Sequence, residues 1–219
     1  MKREKKTITI EGIRSVYSMR SKEFRARLLE FEEIGRTGND LEIWEEMVFC
    51  FFTGGCSAKM GLRSIEAVRP LLMDGGQKRL SRALTGVHRF PNARARYVVA
   101  SRRFLKKHCG MNIRAELESR GHFERRDWLV KEKRIKGLAY KEASHFLRNV
   151  GFKGYGILDK HVLNSLADLE IISDPKPPKS RNEYLTTEKK LRHFAERLSI
   201  DFDEMDLILW SMKTGEILK

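Results

Sequence analysis

The sequence predicts an all-α protein built as two helical lobes. Three observations carry that reading. Apolar residues recur at spacings of three and four along most of the 219-residue chain, the signature of amphipathic helices. Glycine, proline and small polar clusters separate these stretches at short intervals. No run of alternating apolar and polar residues argues for a sheet; only residues 7–16, T-I-T-I-E-G-I-R-S-V, leave a short strand and the lead into a helix both open. A chain of this length buries a good core as one compact protein with room for two lobes.

Ser21 is expected to cap a first helix over 21–34, with Phe24, Leu28 and Phe31 as its stripe and Gly35 as its end. After G-R-T-G-N-D, Asp40 is expected to cap a very apolar helix with Trp44, Val48, Phe51 and Phe52 inside. T-G-G-C-S follows, an interhelix turn in which Ser57 caps a helix over 58–72. A short helix spans about 77–84. Pro91 opens a long one with Tyr97, Val98, Phe104 and Leu105 inside, and with Arg94, Arg96, Arg102, Arg103, Lys106 and Lys107 outside. Residues 125–134 form a helix ending in cations, and Gly137 supplies the stop. The next helix starts near Ala139, carries Ala143, Phe146, Leu147 and Val150 on one face, and closes at Gly151. Asp159 caps a further helix with Val162, Leu163, Leu166 and Leu169 at helical spacing. S-D-P-K-P-P-K-S-R-N, 173–182, is a proline-rich connector. Two helices end the chain, one from Glu183 to about Leu198 and one from Asp203 to about Lys213, with Leu207, Trp210 and Ser211 on one face.

Composition narrows the partner. Lysine and arginine number 44 against 30 acids, a formal net charge of +14, which favours a polyanion, nucleic acid above all, or an anionic membrane surface. No run of about eighteen apolar residues exists, which excludes a transmembrane helix. The N-terminus lacks the apolar core of a secretory signal. An intracellular, cytoplasmic protein is expected. The three cysteines, Cys50, Cys56 and Cys109, have no metal-ligand spacing and suit free thiols in a reducing compartment. No His, Cys, Asp and Glu set has zinc spacing.

Two helices joined at Gly137 by so short a turn make a helix-hairpin-helix, over about 125–151. Backbone N–H groups at Gly137 and Ala139 and at the new helix's start lack intrahelical acceptors and suit a phosphate. Lys141 lies in the first turn of the second helix, where the macrodipole disfavours a cation and so favours the free amine a nucleophile needs. The competing reading is a surface lysine. Asp159, eighteen residues on, is at least a helix cap, and a capping carboxylate is held rigidly in its ionised form.

This arrangement resembles the helix-hairpin-helix superfamily of DNA glycosylases with lyase activity, and within it the type 2, archaeal and bacterial short form of 8-oxoguanine DNA glycosylase. The resemblance rests on G-x-x-x-K at 137–141, on K-E-A-S-H-F-L-R-N-V-G and I-L-D-K-H-V, and on the C-terminal D-L-I-L-W-S-M-K-T-G-E-I-L-K. It covers the chain as a single glycosylase unit, 1–219, with the catalytic loop and helix at 152–169 and C-terminal helices at 183–219. It departs at Lys136-Gly137-Leu138-Ala139, where many relatives have Pro-Gly-x-Gly. The absence of four C-terminal cysteines separates the chain from relatives that carry an iron–sulfur cluster.

The resemblance implies an active site in a cleft between the lobes. It makes Lys141 the nucleophile and Asp159 the assisting carboxylate, and it places parts of the damaged-base pocket on Trp210 and the C-terminal Lys219. His145, one turn beyond Lys141, could touch the extruded base; as a lone histidine it also reads as structural. A DNA-facing role is expected for part of the basic helix that Pro91 opens. The implied activity is excision of 8-oxoguanine from double-stranded DNA through a lysine Schiff base, with β-elimination at the abasic site, by a monomer working at the nucleoid without cofactor or metal. A non-catalytic hairpin module and a glycosylase for oxidised pyrimidines or mismatches are the alternatives.

Overall fold

The computed structural model describes residues 7–218. Among these residues there are eleven α-helices, one short 3₁₀ helix and no strand. The chain divides into two compact units: one takes in the described chain up to Phe31 and again from Lys153, the other is Glu32–Phe152. Each has its own core.

The second unit is organised around α2 (Asp40–Thr53), buried along nearly its whole length from Ile43 to Thr53. A helix buried along so much of its length must be surrounded, and α3 (Ala58–Val68), α5 (Pro91–Cys109), α6 (Ile113–Glu118) and α8 (Tyr140–Asn149) pack on it. The cap is one residue earlier than expected: Asn39, not Asp40, accepts from the Glu42 N–H at 3.0 Å, and Glu42 reaches back to the Asn39 N–H at 2.7 Å. This is a reciprocal capping box. Ser57 caps α3 as expected, but α3 passes at Arg69–Leu71 into the 3₁₀ helix. α4 (Gln77–Leu84) and the Pro91 start of α5 match the sequence.

Two arginines expected on the outside of α5 are buried. Arg102 donates to the carbonyls of Leu71, Leu72 and Gly75 at 2.8–3.2 Å, filling the acceptor ends of a helix that stops inside the protein. Arg94 donates to the Gly54 carbonyl and lies over the Phe90 and Tyr97 rings. Arg96, Arg103, Lys106 and Lys107 are exposed as expected, and Tyr97 is half-buried. The short helix α6 is one the sequence reading did not contain.

α1 (Ile10–Thr37) is one helix of 28 residues; within the undecided stretch 7–16 it takes in 10–16 and leaves 7–9 as its lead-in, and it corrects the expected start at Ser21 and stop at Gly35. Its true start is marked by Thr9, whose hydroxyl accepts from the Gly12 N–H at 3.1 Å. Gly35 is a packing glycine: a Cβ there would stand 2.5 Å from the Val150 carbonyl oxygen.

In the first unit, α9 (Lys160–Asp168) and α10 (Arg181–Leu198) each pack against α11 (Phe202–Thr214). Ser180 caps α10, whose start at Arg181 is two residues ahead of the expected one and falls within the stretch assigned to the proline-rich connector. Asp201 caps α11.

Candidate active site

The hairpin belongs to the second unit. α7 (His122–Lys131) ends three residues earlier than the cations alone suggested, with Glu132 as its C-cap. Arg134 donates to the Glu132 carboxylate at 2.7 Å and holds it down at about 2. Ile135 and Leu138 are buried and pin the turn. Its tip is tied to α5 by the Lys136 N–H, which donates to the buried Ser101 hydroxyl at 2.9 Å. Gly137 has φ +84°, a region L residues avoid. A Cβ there would also lie 2.7 Å from the Tyr97 ring, so the glycine answers two demands at once.

Ala139 is the exposed N-cap of α8 and offers no side-chain acceptor. Glu142 takes the Ala139 N–H at 3.3 Å instead. Without a side-chain cap, the first amides of α8 are oriented for an anion. Two contacts clamp the hairpin helices together: the Tyr140 hydroxyl donates to Asp127 at 3.0 Å and the buried Arg126 donates to Ser144 at 3.0 Å.

Lys141 is the second residue of α8. Its side chain is 24% exposed, and its Nζ lies 3.9 Å from Glu142 Oε1, beyond hydrogen-bonding distance. Glu142 also faces Gly54, next to the Arg94 guanidinium. The amine therefore sits near one carboxylate that is itself engaged by the hairpin backbone. Beneath it, Cys50 is fully buried, and that burial pushes its thiol well above the ordinary range, so Cys50 is an inert neighbour. His145 is 5% exposed and packs edge to face on Phe49 with ring centroids 5.6 Å apart, a core position that leaves little surface for a base.

The other half of the predicted site belongs to the first unit. Asp159 caps α9, and its Oδ1 accepts from both the His161 and Val162 N–H groups at 2.8 Å. Both cap bonds fall on one oxygen, and Oδ2 lies outside the cap. Burial pushes the His161 imidazole below its usual value against the pull of Asp159, with Lys160 and Lys213 adding to the drop. On α11, Leu207 and Ser211 are buried while Trp210 is half-buried. Lys219 lies outside the described residues.

No three His, Cys, Asp or Glu side chains among the described residues are grouped to hold a metal. No described helix is long and apolar enough to cross a membrane. Sequence reasoning passed over Glu142 and the carboxylates that hold the loop before Asp159, and it placed Arg94 outside. For Glu142 a signal existed: a glutamate three residues after a helix N-cap reaches back to that cap's amide.

Residues 24–200 match the family described as 8-oxoguanine DNA glycosylase. The chain belongs to the 8-oxoguanine DNA glycosylase family. A family member from Korarchaeum cryptofilum, an 8-oxoguanine DNA glycosylase/AP lyase, is 38% identical over 88% of each chain. One of the same description from Fusobacterium nucleatum is 36% identical over 98% of this chain and all of its own. Among solved structures of this glycosylase family, the Methanocaldococcus jannaschii 8-oxoguanine glycosylase/lyase, in complex with a 15mer DNA containing 8-oxoguanine, superposes with a TM-score of 0.87 at 32% identity. That match covers 96% of this chain and 99% of the other. The Thermotoga maritima 8-oxoguanine DNA glycosylase gives 0.86 at 30% identity, covering 95% and 97%.

Proposed function

We infer that this protein removes 8-oxoguanine from double-stranded DNA and cuts the strand at the abasic site it creates. The observation that carries the conclusion is the family match over residues 24–200, joined to structural likeness along nearly the whole chain to an enzyme solved with 8-oxoguanine DNA. A net charge of +14 supports binding to the phosphate backbone. The chemistry requires the damaged nucleotide to leave the stack, since a lysine cannot reach C1′ inside a duplex.

The roles within the reaction follow from chemistry and position. The Lys141 amine, as free base, forms a bond to C1′ while the C1′–N9 bond breaks; the base departs with that electron pair and takes up a proton. The Asp159 carboxylate stabilises the positive charge growing on the sugar and relays protons. Loss of a proton from nitrogen and opening of the sugar ring give the Schiff base. Removal of a C2′ proton then expels the 3′ phosphate and cuts the strand. Support for Lys141 comes from its half-buried place directly after the Gly137 turn, at a helix start that disfavours a cation. Support for Asp159 comes from an oxygen left outside its cap.

The amides at the Gly137 turn and at the start of α8 hold a phosphate, whereas the Ala139 N–H, expected to share that role, already donates to Glu142. Trp210, with the C-terminal Lys219, forms part of the base pocket. His145 is better assigned to packing against Phe49. The protein works as a monomer, in the cytoplasm at the nucleoid.

Strand cleavage of matched duplexes carrying 8-oxoguanine, thymine glycol or a plain abasic site tests the substrate. We expect cutting at 8-oxoguanine and at the abasic site with thymine glycol a poor substrate. Preferential cutting at thymine glycol would overturn the assignment.

A further inference from the structure

The loop that delivers Asp159 is held by groups with no assigned role. Residues 152–158, F-K-G-Y-G-I-L, run between α8 and α9. The Phe152 N–H still donates to the Leu147 carbonyl of α8 at 2.9 Å, but the amides of Gly154, Gly156, Ile157 and Leu158 have side-chain acceptors instead, and buried amides left unpaired are costly. Acidic side chains of α10 and α11 take them one after another. The Gly154 N–H donates to Asp203 Oδ1 at 2.7 Å, the Gly156 N–H to Glu188 Oε1 at 2.9 Å, and the Ile157 N–H to Asp206 Oδ2 at 2.9 Å. The Leu158 N–H donates to the Tyr184 hydroxyl at 3.3 Å, which itself donates to the Gly156 carbonyl at 2.8 Å. Arg192 donates to the Gly154 carbonyl at 3.0 Å.

Glu188 and Asp206 are 5% and 4% exposed, and Tyr184 is 2% exposed. Gly156 is enclosed as well: a Cβ there would meet Phe202 at 3.0 Å and Glu188 and Leu191 at 3.4 Å. Amides could have been satisfied by serine or asparagine at a lower desolvation cost. Carboxylates make shorter and stronger bonds, so the arrangement selects for stiffness.

That stiffness is applied one residue before Asp159, whose own N–H donates to the Ile157 carbonyl at 3.0 Å. The capped oxygen fixes one end of the carboxylate and the clamped loop fixes its backbone. α11 also presents Trp210 one turn beyond Asp206, so a single helix grips the loop and carries a base-pocket residue.

We propose that Glu188, Asp206 and Tyr184 are positioning residues that set the aim of the Asp159 carboxylate. The proposal rests on the reading of Asp159 as the assisting carboxylate. The test is a double-mutant cycle on single-turnover excision of 8-oxoguanine from duplex DNA, with Glu188→Ala, Asp159→Asn and the pair. Misplacing a reacting group by about 1 Å costs on the order of 10²-fold. Glu188→Ala should lose about that much in rate with duplex affinity unchanged. Glu188→Gln, which keeps an acceptor oxygen, should recover most of it. In the Asp159→Asn background the Glu188→Ala change should add little, because the group it aims is already disabled.

An equal fold-loss in both backgrounds would overturn the positioning role while leaving Asp159 catalytic. Full activity of Asp159→Asn alone would instead overturn the reading of Asp159. Should Glu188→Ala not fold, Tyr184→Phe, which removes only the hydroxyl, enters the same cycle with the same expectations.

Discussion

Gly137 and Gly55 separate two reasons for a glycine. Both have positive φ, +84° and +72°. At Gly55 a Cβ would meet nothing within 4 Å, whereas at Gly137 it would press on the Tyr97 ring at 2.7 Å. Gly55→Ala should therefore cost only the left-handed backbone term, about 1 kcal/mol. Gly137→Ala adds overpacking of about 1–3 kcal/mol and should displace the hairpin amides, so that DNA affinity falls too. Urea denaturation of both variants with a duplex-binding titration checks this; equal stability and equal affinity would show that Tyr97 does not constrain the turn. Asp159 illustrates the same economy of position, as one oxygen secures the start of α9 and the other stays outside the cap.

At the scale of elements, helix ends decide how the fold closes. α5 stabilises the 3₁₀ helix that ends α3 through Arg102, whose guanidinium serves three carbonyls. Arg102→Ala would leave buried acceptors without donors, and we expect a loss of about 3 kcal/mol or more. Arg103→Ala, one residue on and exposed, should change stability by less than about 0.5 kcal/mol. Thermal melts of the pair would show a large drop for Arg102 alone, and similar melting temperatures would contradict the capping role.

These arginines also show where reading the sequence stops. α8 with Lys141 in its first turn, the Asp159 cap, the Ser57 cap and the Pro91 start were legible because capping and glycine chemistry are local. The continuity of α1 was not, because Ser21 and Gly35 look like punctuation. What demands a glycine at position 35 is the Val150 carbonyl, over a hundred residues away, and not the end of the helix. Nor could periodicity assign Arg94 and Arg102 inward, since the carbonyls they serve belong to other segments. The clamp on the 152–158 loop was invisible for the same reason: its partners are 26 to 49 residues from the amides they hold.

For the molecule as a whole, the sequence gives a strongly basic chain and the fold gives two compact units, with the hairpin and Lys141 in one and Asp159 and Trp210 in the other. The positive charge supplies affinity for any duplex; selection of the lesion and the cut itself must come from the few residues assigned to the reaction. Among them Lys141 is the proposed nucleophile, the amine through which the covalent intermediate is expected to form. Borohydride reduction in the presence of an 8-oxoguanine duplex captures that intermediate as a stable protein–DNA adduct. The wild-type protein should be trapped, and Lys141→Gln should bind the duplex yet give no adduct. An adduct of undiminished yield in Lys141→Gln would place the reacting amine elsewhere in the chain.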